Sequence, residues 1–571
     1  MNKLQSIKKL LNKRSLVNFV GKHWELVLIT ILGLSVAWPL LRGGYFSHQD
    51  DLQVIRIFEM RKCFADGQIP CRWVSSMGWG NGYPLFNFYG VFPYYLGAIL
   101  SYFMGFLAAS KLLFLIALVG GSFGMYFLVS ELWGKYAGIT AAILYLFAPY
   151  KALDIYVRGA LSESMGLALI PFVFYFFLKL ITKPGEKNIF FYSTLTLFFF
   201  LITHNIMTVI FLPILIVWII YWLFATKWKS VKIIVISTLL AIGLSSFFVF
   251  PAFFEKELVQ TESLTRFELD YRANFISIKQ LFFDRAWGYG TSIPGPEGGM
   301  SFQVGWPYWL LVGFSAVSLF FSRTIFTSKI RKSTKVLVVG IVGTFIVSVL
   351  MTHNKSTFVW ESFRILQFFQ FPWRFLSLTV FSASILGGFV IFSVKKKWQK
   401  IFAIIVIVST VILNWSYFKP REFFDVTSKQ KLTGELWEQQ RRGAILDYLP
   451  KTALEPREAA PEAPLVISGE ASVVDFKNRS NRWEFKAEVS ELSEIHIPVY
   501  YFPNWEVKVD GKSYPSTHDN LLGRISVTLD KGDYKIEGRF KNTPLRTISN
   551  IITIVSIGWF IGLLKRKKEW Q

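Results

Sequence analysis

Two adjacent carboxylates, Asp50 and Asp51, follow the first apolar segment of the chain. Neighbouring like charges repel each other, and near a membrane each carboxylate needs water, a cation or a proton. One of them could cap a helix, because Asp50 and Gln53 match a capping box that precedes an apolar run. The second carboxylate then still needs a role, either as a general base or as a clamp for a substrate or metal ion.

Two arginines, Arg158 and Arg374, stand at the ends of later apolar segments. The planar fork of an arginine forms two parallel charge-assisted hydrogen bonds with a phosphate, so these positions predict an anion site. Both have structural alternatives: Arg158 could pair with Glu163 in the first turn of a helix, and Arg374 could anchor its segment at the membrane surface. His204 ends another apolar segment, where a histidine can act in chemistry or cap a helix C-terminus.

The composition of the 571-residue chain is that of a membrane protein. Hydrophobic residues make up 52% and aromatic residues 18% of the sequence. Several stretches of about 18 or more apolar residues carry no charge, as membrane-spanning helices do. The net charge is +24, but the lysines and arginines lie in short runs between apolar segments. That distribution follows the positive-inside rule and argues against nucleic acid as a partner.

About twelve spans are expected, with both termini in the cytoplasm and the first span uncleaved. The count assumes that the segment Phe86–Ala109 lies at the membrane surface, because only then do all basic segments fall on the cytoplasmic side. This topology places every candidate residue named above, together with His48, on the outer face. The predicted spans are Trp24–Leu41, Leu112–Leu132, Ala137–Pro149, Leu161–Ile181, Ile189–Thr203, Ile206–Ala225, Ile233–Pro251, Trp306–Phe321, Val336–Met351, Phe375–Val394, Ile401–Trp415 and Ile548–Leu564.

The topology divides the chain into four regions. Between residues 465 and 545, short runs alternate polar and apolar side chains and are separated by turns such as Asp510-Gly511, which predicts a small antiparallel β-sandwich. The fold class is therefore an all-α polytopic membrane protein of about twelve transmembrane helices, with a small C-terminal extracytoplasmic β-sandwich domain. The other regions are a membrane domain, 1–415, with outer loops at 42–110 and 255–305; an extracytoplasmic linker, 416–464; and the last transmembrane helix with a basic cytoplasmic tail, 546–571.

The two cysteines, Cys63 and Cys71, both fall in the first outer loop. They could form a disulfide in an oxidising compartment or remain as two thiols, and the sequence alone leaves both open. No inference about function depends on which state they adopt.

The candidate residues gather at span ends on one face, where they can line a cavity that is open to the outside and to the lipid. The sequence contains no P-loop, no zinc-ligand cluster and no nucleophile elbow. A cavity of this kind suits a lipid phosphate, because the tail stays in the bilayer while the phosphate meets arginines and the polar head reaches carboxylates.

With these residues the chain resembles the GT-C superfamily, membrane glycosyltransferases that use polyprenyl-phosphate sugars. It is most similar to the YfhO-like bacterial membrane proteins, and the similarity covers most of the chain. The matching pieces are Asp50-Asp51, Gly82–Tyr89, Arg158-Gly159-Ala160 with Glu163, Thr203-His204-Asn205, Phe371–Phe375, Tyr500–Trp505, Val509-Asp510-Gly511 and Thr543–Arg546.

The resemblance implies an inverting sugar transfer from a polyprenyl-phosphate donor to an extracytoplasmic acceptor, which can be a cell-surface polymer, a lipid or a protein. Asp50 or Asp51 would accept the proton of the acceptor hydroxyl. Some members of the superfamily require a divalent metal and others do not, so the metal stays open and no other cofactor is implied. The side chains that would bind the donor phosphate are Arg158, Arg374 and His204, with Glu163 and His48 in supporting positions.

Two other functions compete with sugar transfer. A transporter or flippase for a lipid-linked or polyanionic substrate would carry polar residues near the bilayer midplane, often within inverted repeats. Here the charged residues cluster at span ends and no repeat is visible. A non-catalytic scaffold that displays the β-sandwich would leave both aspartates dispensable. For sugar transfer in a bacterial membrane, undecaprenyl phosphate is the expected carrier, and the sugar and acceptor stay open.

Overall fold

The computed structural model describes residues 21–265, 269–288, 300–320 and 331–565. Short α-helices and 3-10 turns occur between the longer elements and are given by their bounds where they bear on the site. The helices of eight or more residues in these ranges are α1 (Trp24–Val36), α2 (Gln53–Asp66), α3 (Phe92–Met104), α4 (Phe106–Trp133), α5 (Lys135–Leu146), α6 (Pro149–Tyr156), α7 (Leu161–Thr182), α8 (Lys187–Leu201), α9 (Asn205–Ala225), α10 (Val231–Phe254), α11 (Trp306–Phe320), α12 (Lys332–Thr352), α13 (Leu376–Ser393), α14 (Gln399–Asn414), α15 (Gly434–Arg442) and α16 (Pro544–Lys565).

Nine helices of the described ranges are long and apolar enough to cross a membrane. Three further apolar helices are shorter, and together these elements coincide with the spans predicted from the sequence. The protein is therefore a mostly helical membrane protein. The nine are Phe106–Trp133, Lys135–Tyr156, Leu161–Thr182, Asn205–Ala225, Val231–Phe254, Lys332–Thr352, Pro372–Ser393, Gln399–Tyr417 and Pro544–Lys565, and the three are Trp24–Val36, Lys187–Leu201 and Trp306–Leu319.

The segment that was expected to lie along the membrane surface is not one continuous helix. It contains the short helix Leu85–Phe88 and α3, which has 13 residues. Gly105 separates α3 from α4 with a φ of +79°, a left-handed value that favours glycine. Four predicted features lie partly or wholly outside the described residues: the basic segment at 1–20, residues 266–268 and 289–299 of the loop predicted at 255–305, the end of the span Trp306–Phe321, and residues 566–571 of the basic tail.

Helices α4, α5, α7 and α13 form the centre of the bundle, and most of their side chains are buried. Helices α4 and α7 approach closely because small residues face the contact. A Cβ added at Gly121 of α4 would lie 2.9 Å from the carbonyl oxygen of Leu167 in α7. This close packing fixes the position of the N-terminal end of α7, which carries Glu163.

The C-terminal part folds into two antiparallel sheets that pack face to face. One sheet has the strand order β4-β5-β10-β7-β8 and the other the order β3-β6-β9. Alternate residues of β5, such as Trp483 and Phe485, point into the shared core because side chains alternate along a strand. The strands are β3 (Leu465–Ser468), β4 (Ala471–Asn478), β5 (Arg482–Val489), β6 (Ser493–Tyr500), β7 (Trp505–Val509), β8 (Lys512–Tyr514), β9 (Arg524–Leu529) and β10 (Gly532–Phe540).

The first loop is joined to distant parts of the chain before it reaches α2. Strand β1 (Tyr45–Phe46) pairs antiparallel with β2 (Phe423–Phe424), although nearly the whole membrane domain lies between them in sequence. Cys63 near the end of α2 forms a disulfide with Cys71, which settles the alternative left open by the sequence. These connections hold residues 47–52 against the segment that follows β2.

Candidate functional site

A cavity of about 720 Å³ collects residues from six distant parts of the sequence. Its wall is formed by the first loop, the segments that precede α7, α9 and α13, the end of α10 with the residues that follow it, and the stretch 431–448. Of the predicted site residues, only His48 is absent from the lining. Those that line the cavity are Asp50, Asp51, Arg158, Glu163, His204 and Arg374.

Asp50 is held by the first turns of α2. Its Oδ2 accepts hydrogen bonds from Nη1 of Arg56 at 2.8 Å and from Nε2 of Gln53 at 3.0 Å. The expectation that Asp50 caps this helix is wrong, because α2 begins at Gln53 with Leu52 in the cap position. Asp50 thus lies in the loop, and its backbone N–H donates to the carbonyl of Arg158 at 2.9 Å.

Asp51 forms an ion pair with Lys431, which belongs to the segment after β2. On its other side, Nε2 of His48 lies 3.7 Å from Oδ1 of Asp51. The other ring nitrogen of His48 donates to the carbonyl of Phe46 at 2.9 Å, since a carbonyl can only accept. Burial lowers the pKa of His48, so the ring is neutral and lies behind Asp51, outside the cavity wall.

Glu163 links the two arginines. Its Oε2 lies 3.0 Å from Nη1 of Arg158 and 3.2 Å from Nε of Arg374. Arg158 also contacts Asp154 at 2.5 Å, and Tyr150 donates to Oε1 of Glu163 at 2.6 Å. Both arginines are buried and ion-paired, so neither is a surface anchor.

Each arginine keeps part of its hydrogen-bonding capacity. In the part of the chain that the structure describes, Nη2 of Arg158 and Nη2 of Arg374 make no hydrogen bond. The helix α7, the helix α9 and the 3-10 turn Pro372–Phe375 all begin at the cavity. Helix N-termini carry partial positive charge and unpaired N–H groups, so this side of the cavity favours an anion.

His204 is the N-cap of α9. Its Nδ1 accepts the backbone N–H of Met207 at 3.2 Å. The alternative expected from the sequence, a cap at a helix C-terminus, is therefore wrong. Burial lowers the pKa of His204 to about 3, so the ring is neutral. Because Nδ1 accepts, the proton is on Nε2, which is then a donor available to a ligand.

Sequence reasoning missed several residues of the cavity. Arg56 and Lys431 pair with the two aspartates, and Lys256 adds a further cation to the lining. Asp447 and Tyr448 come from the region assigned to a linker. Burial raises the pKa of the Asp447 carboxyl to about 6. No local pattern marks these residues, because they reach the cavity only through tertiary contacts.

Among the described residues, no group of three or more histidine, cysteine, aspartate or glutamate side chains is arranged to hold a metal ion. Asp50 and Asp51 instead have cationic side chains as partners. This arrangement can hold an anion beside two carboxylates in one cavity.

Comparisons with known proteins give partial matches. A family model described as a 6-pyruvoyl-tetrahydropterin synthase related domain, membrane protein, matches residues 86–270. An uncharacterized protein of Lactococcus lactis subsp. cremoris (strain MG1363) is 23% identical over 255 residues, which cover 42% of this chain and 41% of that protein. The match thus spans less than half of that relative.

Two solved structures of glycosyltransferases superpose on part of this chain. Arabinofuranosyltransferase AftD from mycobacteria superposes with a TM-score of 0.43 and 14% identity over 70% of this chain and 27% of that one. The oligosaccharyltransferase AglB from Archaeoglobus fulgidus was solved with an inhibitory peptide and a dolichol-phosphate. It superposes with a TM-score of 0.37 and 13% identity over 70% of this chain and 56% of that one. Both TM-scores lie below 0.5, so the function is inferred from the cavity of this chain itself.

Proposed function

We propose that this protein is a GT-C-type glycosyltransferase that moves a sugar from a polyprenyl-phosphate donor to an extracytoplasmic acceptor, with inversion at the anomeric carbon. The observation that carries the proposal is the juxtaposition in one cavity of Asp50 and Asp51 with Arg158 and Arg374. The backbone contact between Asp50 and Arg158 makes the acidic and basic walls direct neighbours. Such an arrangement matches a substrate that carries a proton to be removed and an anion to be released.

In the proposed reaction, the oxygen of an acceptor hydroxyl attacks the anomeric carbon of the donor. The hydroxyl proton moves to the carboxylate of Asp50 or Asp51. The bond between the anomeric carbon and the phosphate oxygen breaks, and its electron pair stays on the lipid phosphate. That phosphate leaves as an anion, so it needs positive charge and no proton.

The basic wall stabilises the leaving phosphate. The free Nη2 groups of Arg158 and Arg374 and the Nε2–H of His204 are the donors that would meet it. Glu163 holds both guanidinium groups in place through its Oε2. The pairing of Asp51 with Lys431 fixes the carboxylate near the cavity, and His48 contributes only packing behind it.

The proposal includes a topology. The cavity and the β-sandwich face the outside, both termini lie in the cytoplasm, and the donor tail stays in the bilayer. In a bacterial membrane the carrier would be undecaprenyl phosphate. The positive-inside distribution of lysine and arginine between the spans supports this orientation.

The test is sugar release or transfer by the purified full chain in detergent, from a panel of polyprenyl-phosphate sugars. Asp50→Asn and Asp51→Asn would be compared with Asp425→Asn, which changes an exposed aspartate of the segment after β2. Loss of the general base should lower the rate about 10²- to 10⁴-fold in one of the two variants, while Asp425→Asn stays at the wild-type rate. A parallel series with EDTA decides whether a divalent metal is required.

Two results would contradict this proposal. Equal activity of the wild type and both aspartate variants would remove the base assignment. Movement of the intact donor across vesicle membranes, without cleavage in the presence of any acceptor, would favour the flippase alternative.

A further inference from the structure

One wall of the cavity, residues 443–448, is held in a fixed conformation. Ala444 has a φ of +54°, which begins the 3-10 turn Ile445–Asp447. The hydroxyl of Ser263 donates to the carbonyl of Leu446 at 2.7 Å. A Cβ on Gly443 would lie 2.6 Å from a methyl carbon of Leu52, so this wall packs directly on the loop that carries the two aspartates.

Asp447 differs from the other carboxylates of the cavity. Asp50 is paired with Arg56, Asp51 with Lys431, and Glu163 with two arginines. Within the described ranges, the Asp447 carboxylate makes no hydrogen bond and no ion pair, although it lines the same cavity. A partly buried carboxylate costs free energy unless its oxygens find donors, so this group is poised to accept hydrogen bonds from a ligand.

The next residue supplies an aromatic surface beside that carboxylate. The ring of Tyr448 stacks on Phe88 at 5.7 Å with an interplanar angle of 15°, and it meets Tyr89 edge-on at 6.3 Å. Phe88 therefore supports one side of the ring, and Tyr448 lines the cavity. The hydroxyl of Tyr448 makes no hydrogen bond to any residue that the structure describes.

We propose that Asp447 and Tyr448 form a subsite for the ring of a sugar with free hydroxyls. The carboxylate accepts hydrogen bonds from two neighbouring hydroxyls, and the ring of Tyr448 packs against the C–H face of the sugar. The inference rests on the proposed function for the identity of the second substrate, but the subsite can be tested by binding alone. The sugar can belong to the donor or to the acceptor.

The chemistry of the wall favours a neutral polyol over other ligands. An anionic carboxylate repels phosphate, whereas the arginines of the opposite wall attract it. A carboxylate can only accept hydrogen bonds, and a sugar offers several hydroxyl donors at neighbouring carbons. The aromatic rings next to Asp447 supply an apolar face for a sugar ring, and the nearby Arg56 and Lys431 of the same lining repel a cationic ligand.

The first experiment measures binding by saturation-transfer NMR, with a panel of methyl glycosides and the full chain in detergent. The variants are Asp447→Ala, Asp447→Asn and the control Asp425→Asn. We expect at least one glycoside to give a signal with the wild type and the control, and to lose it with Asp447→Ala. If no glycoside shows a signal that depends on Asp447, the subsite is overturned, whatever the donor assay gives.

The second experiment uses singly deoxygenated sugars to separate donor from acceptor. Removing a hydrogen bond to a charged group should lower kcat/KM about 10- to 150-fold. If the donor sugar occupies the subsite, Asp447→Ala slows donor hydrolysis by water, and one deoxygenated donor is penalised by the wild type but not by the variant. If the acceptor occupies the subsite, Asp447→Ala leaves donor hydrolysis by water unchanged and lowers only the rate of transfer. One deoxygenated acceptor is then penalised by the wild type but not by the variant.

A purely structural role of Asp447 gives a different pattern. The variant would then lose the same factor on every analogue, and this result would overturn the subsite. Tyr448→Leu offers a second, independent variant, because it removes the aromatic ring and leaves the carboxylate. It should raise KM for the sugar that depends on Asp447, whether that sugar belongs to the donor or to the acceptor. A wild type that binds glycosides through Asp447 but transfers none would refute the proposed function and retain the subsite.

Discussion

At the scale of single residues, Glu163 is the carboxylate of the cavity that pairs with two arginines. Its side chain is 1% exposed and compensates two guanidinium groups. Removing one partner of a buried ion pair leaves an uncompensated charge, which costs about 3–5 kcal/mol. We expect Glu163→Gln to lower the thermal unfolding midpoint clearly and to abolish donor cleavage.

The matched control is Glu131→Gln, which breaks the pair of Glu131 with Lys179. That glutamate side chain is 34% exposed and its lysine partner 11% exposed, and it compensates one cation where Glu163 compensates two, so its loss should cost less free energy of unfolding. Thermal unfolding of both variants by intrinsic fluorescence would check the prediction, and equal midpoints for the two would contradict it.

Asp447 predicts a pH dependence of stability. Burial raises its pKa from 3.8 to about 6, while Arg56 and Arg374 lower it and Asp50 raises it; Tyr83 and Tyr448 are the other titratable neighbours. The folded state therefore binds more protons than the unfolded state between these two values, and stability falls as the pH rises through this interval.

Asp447→Asn removes this pH-dependent loss of folding stability, because the asparagine side chain stays neutral at every pH. We expect the variant to unfold at a higher temperature than the wild type at pH 7.5, by an amount equivalent to at most about 3 kcal/mol, and to match it near pH 4. Thermal unfolding at the two pH values measures the difference. A variant that is less stable than the wild type at pH 7.5 would show that the carboxylate has a stabilising partner.

At the scale of elements, the packing of α4 on α7 decides where Glu163 and the start of α7 lie. A Cβ at Gly121 would approach the carbonyl of Leu167 to 2.9 Å, and backbone cannot move aside without shifting the helix. At Gly120, one position earlier, the nearest atom is the Cβ of Ala168 at 3.9 Å, which is ordinary contact.

We therefore expect Gly121→Ala to destabilise the protein and to reduce activity, since it displaces α7. Gly120→Ala should leave activity unchanged and can add up to about 1 kcal/mol of helix stability. Unfolding midpoints and donor cleavage, measured side by side, give the comparison. If both alanines behave alike, then α7 can shift without disturbing the site.

Sequence patterns predicted the helices and strands better than the contacts between them. Apolar runs located the spans, because the bilayer requires long uncharged helices, and alternation located the strands. The start of α2 at Gln53 was missed because the side chain of Gln53 reaches back to Asp50 without any cap geometry. Likewise, His204 adjoins both α8 and α9, and sequence position alone does not say which helix it caps.

At the scale of the whole molecule, Arg546 ties the end of the β-sandwich to the bundle. It is fully buried, pairs with Glu255 at 2.8 Å and lies over the rings of Phe502 and Phe540 at 5.1 and 5.0 Å. Arg546→Met should loosen this junction, because it leaves Glu255 buried without its guanidinium partner.

The expected result is faster proteolytic cleavage around residues 454–464 with the bundle intact. The control, Lys541→Met, breaks a pair with Glu506 at 2.6 Å in which the lysine is 54% exposed, and it should leave the cleavage rate near that of the wild type. Limited proteolysis followed by mass spectrometry measures both rates. Unchanged cleavage in Arg546→Met would locate the strength of the junction elsewhere, for example at Trp73, which packs on Trp505 at 5.4 Å.

Three residues of the cavity that no sequence pattern marks come from one region of the chain. Lys431, Asp447 and Tyr448 lie in a charged, proline-containing region that resembles a linker. They reach the first loop through the pairing of β2 with β1, through the packing of Gly443 on Leu52 and through the stacking of Tyr448 on Phe88. That pairing is between two-residue strands, which carry no periodic pattern of their own.

The pairing of β1 with β2 also sets an order of events during synthesis. Phe46 leaves the ribosome long before its partner Phe423, and at about 5–20 residues per second the interval is roughly 20 to 75 s. Throughout that time Asp51 has no Lys431 and the wall that carries Asp447 does not exist. A nascent chain therefore holds an open first loop, and the cavity closes only after residues 423–448 have been synthesised.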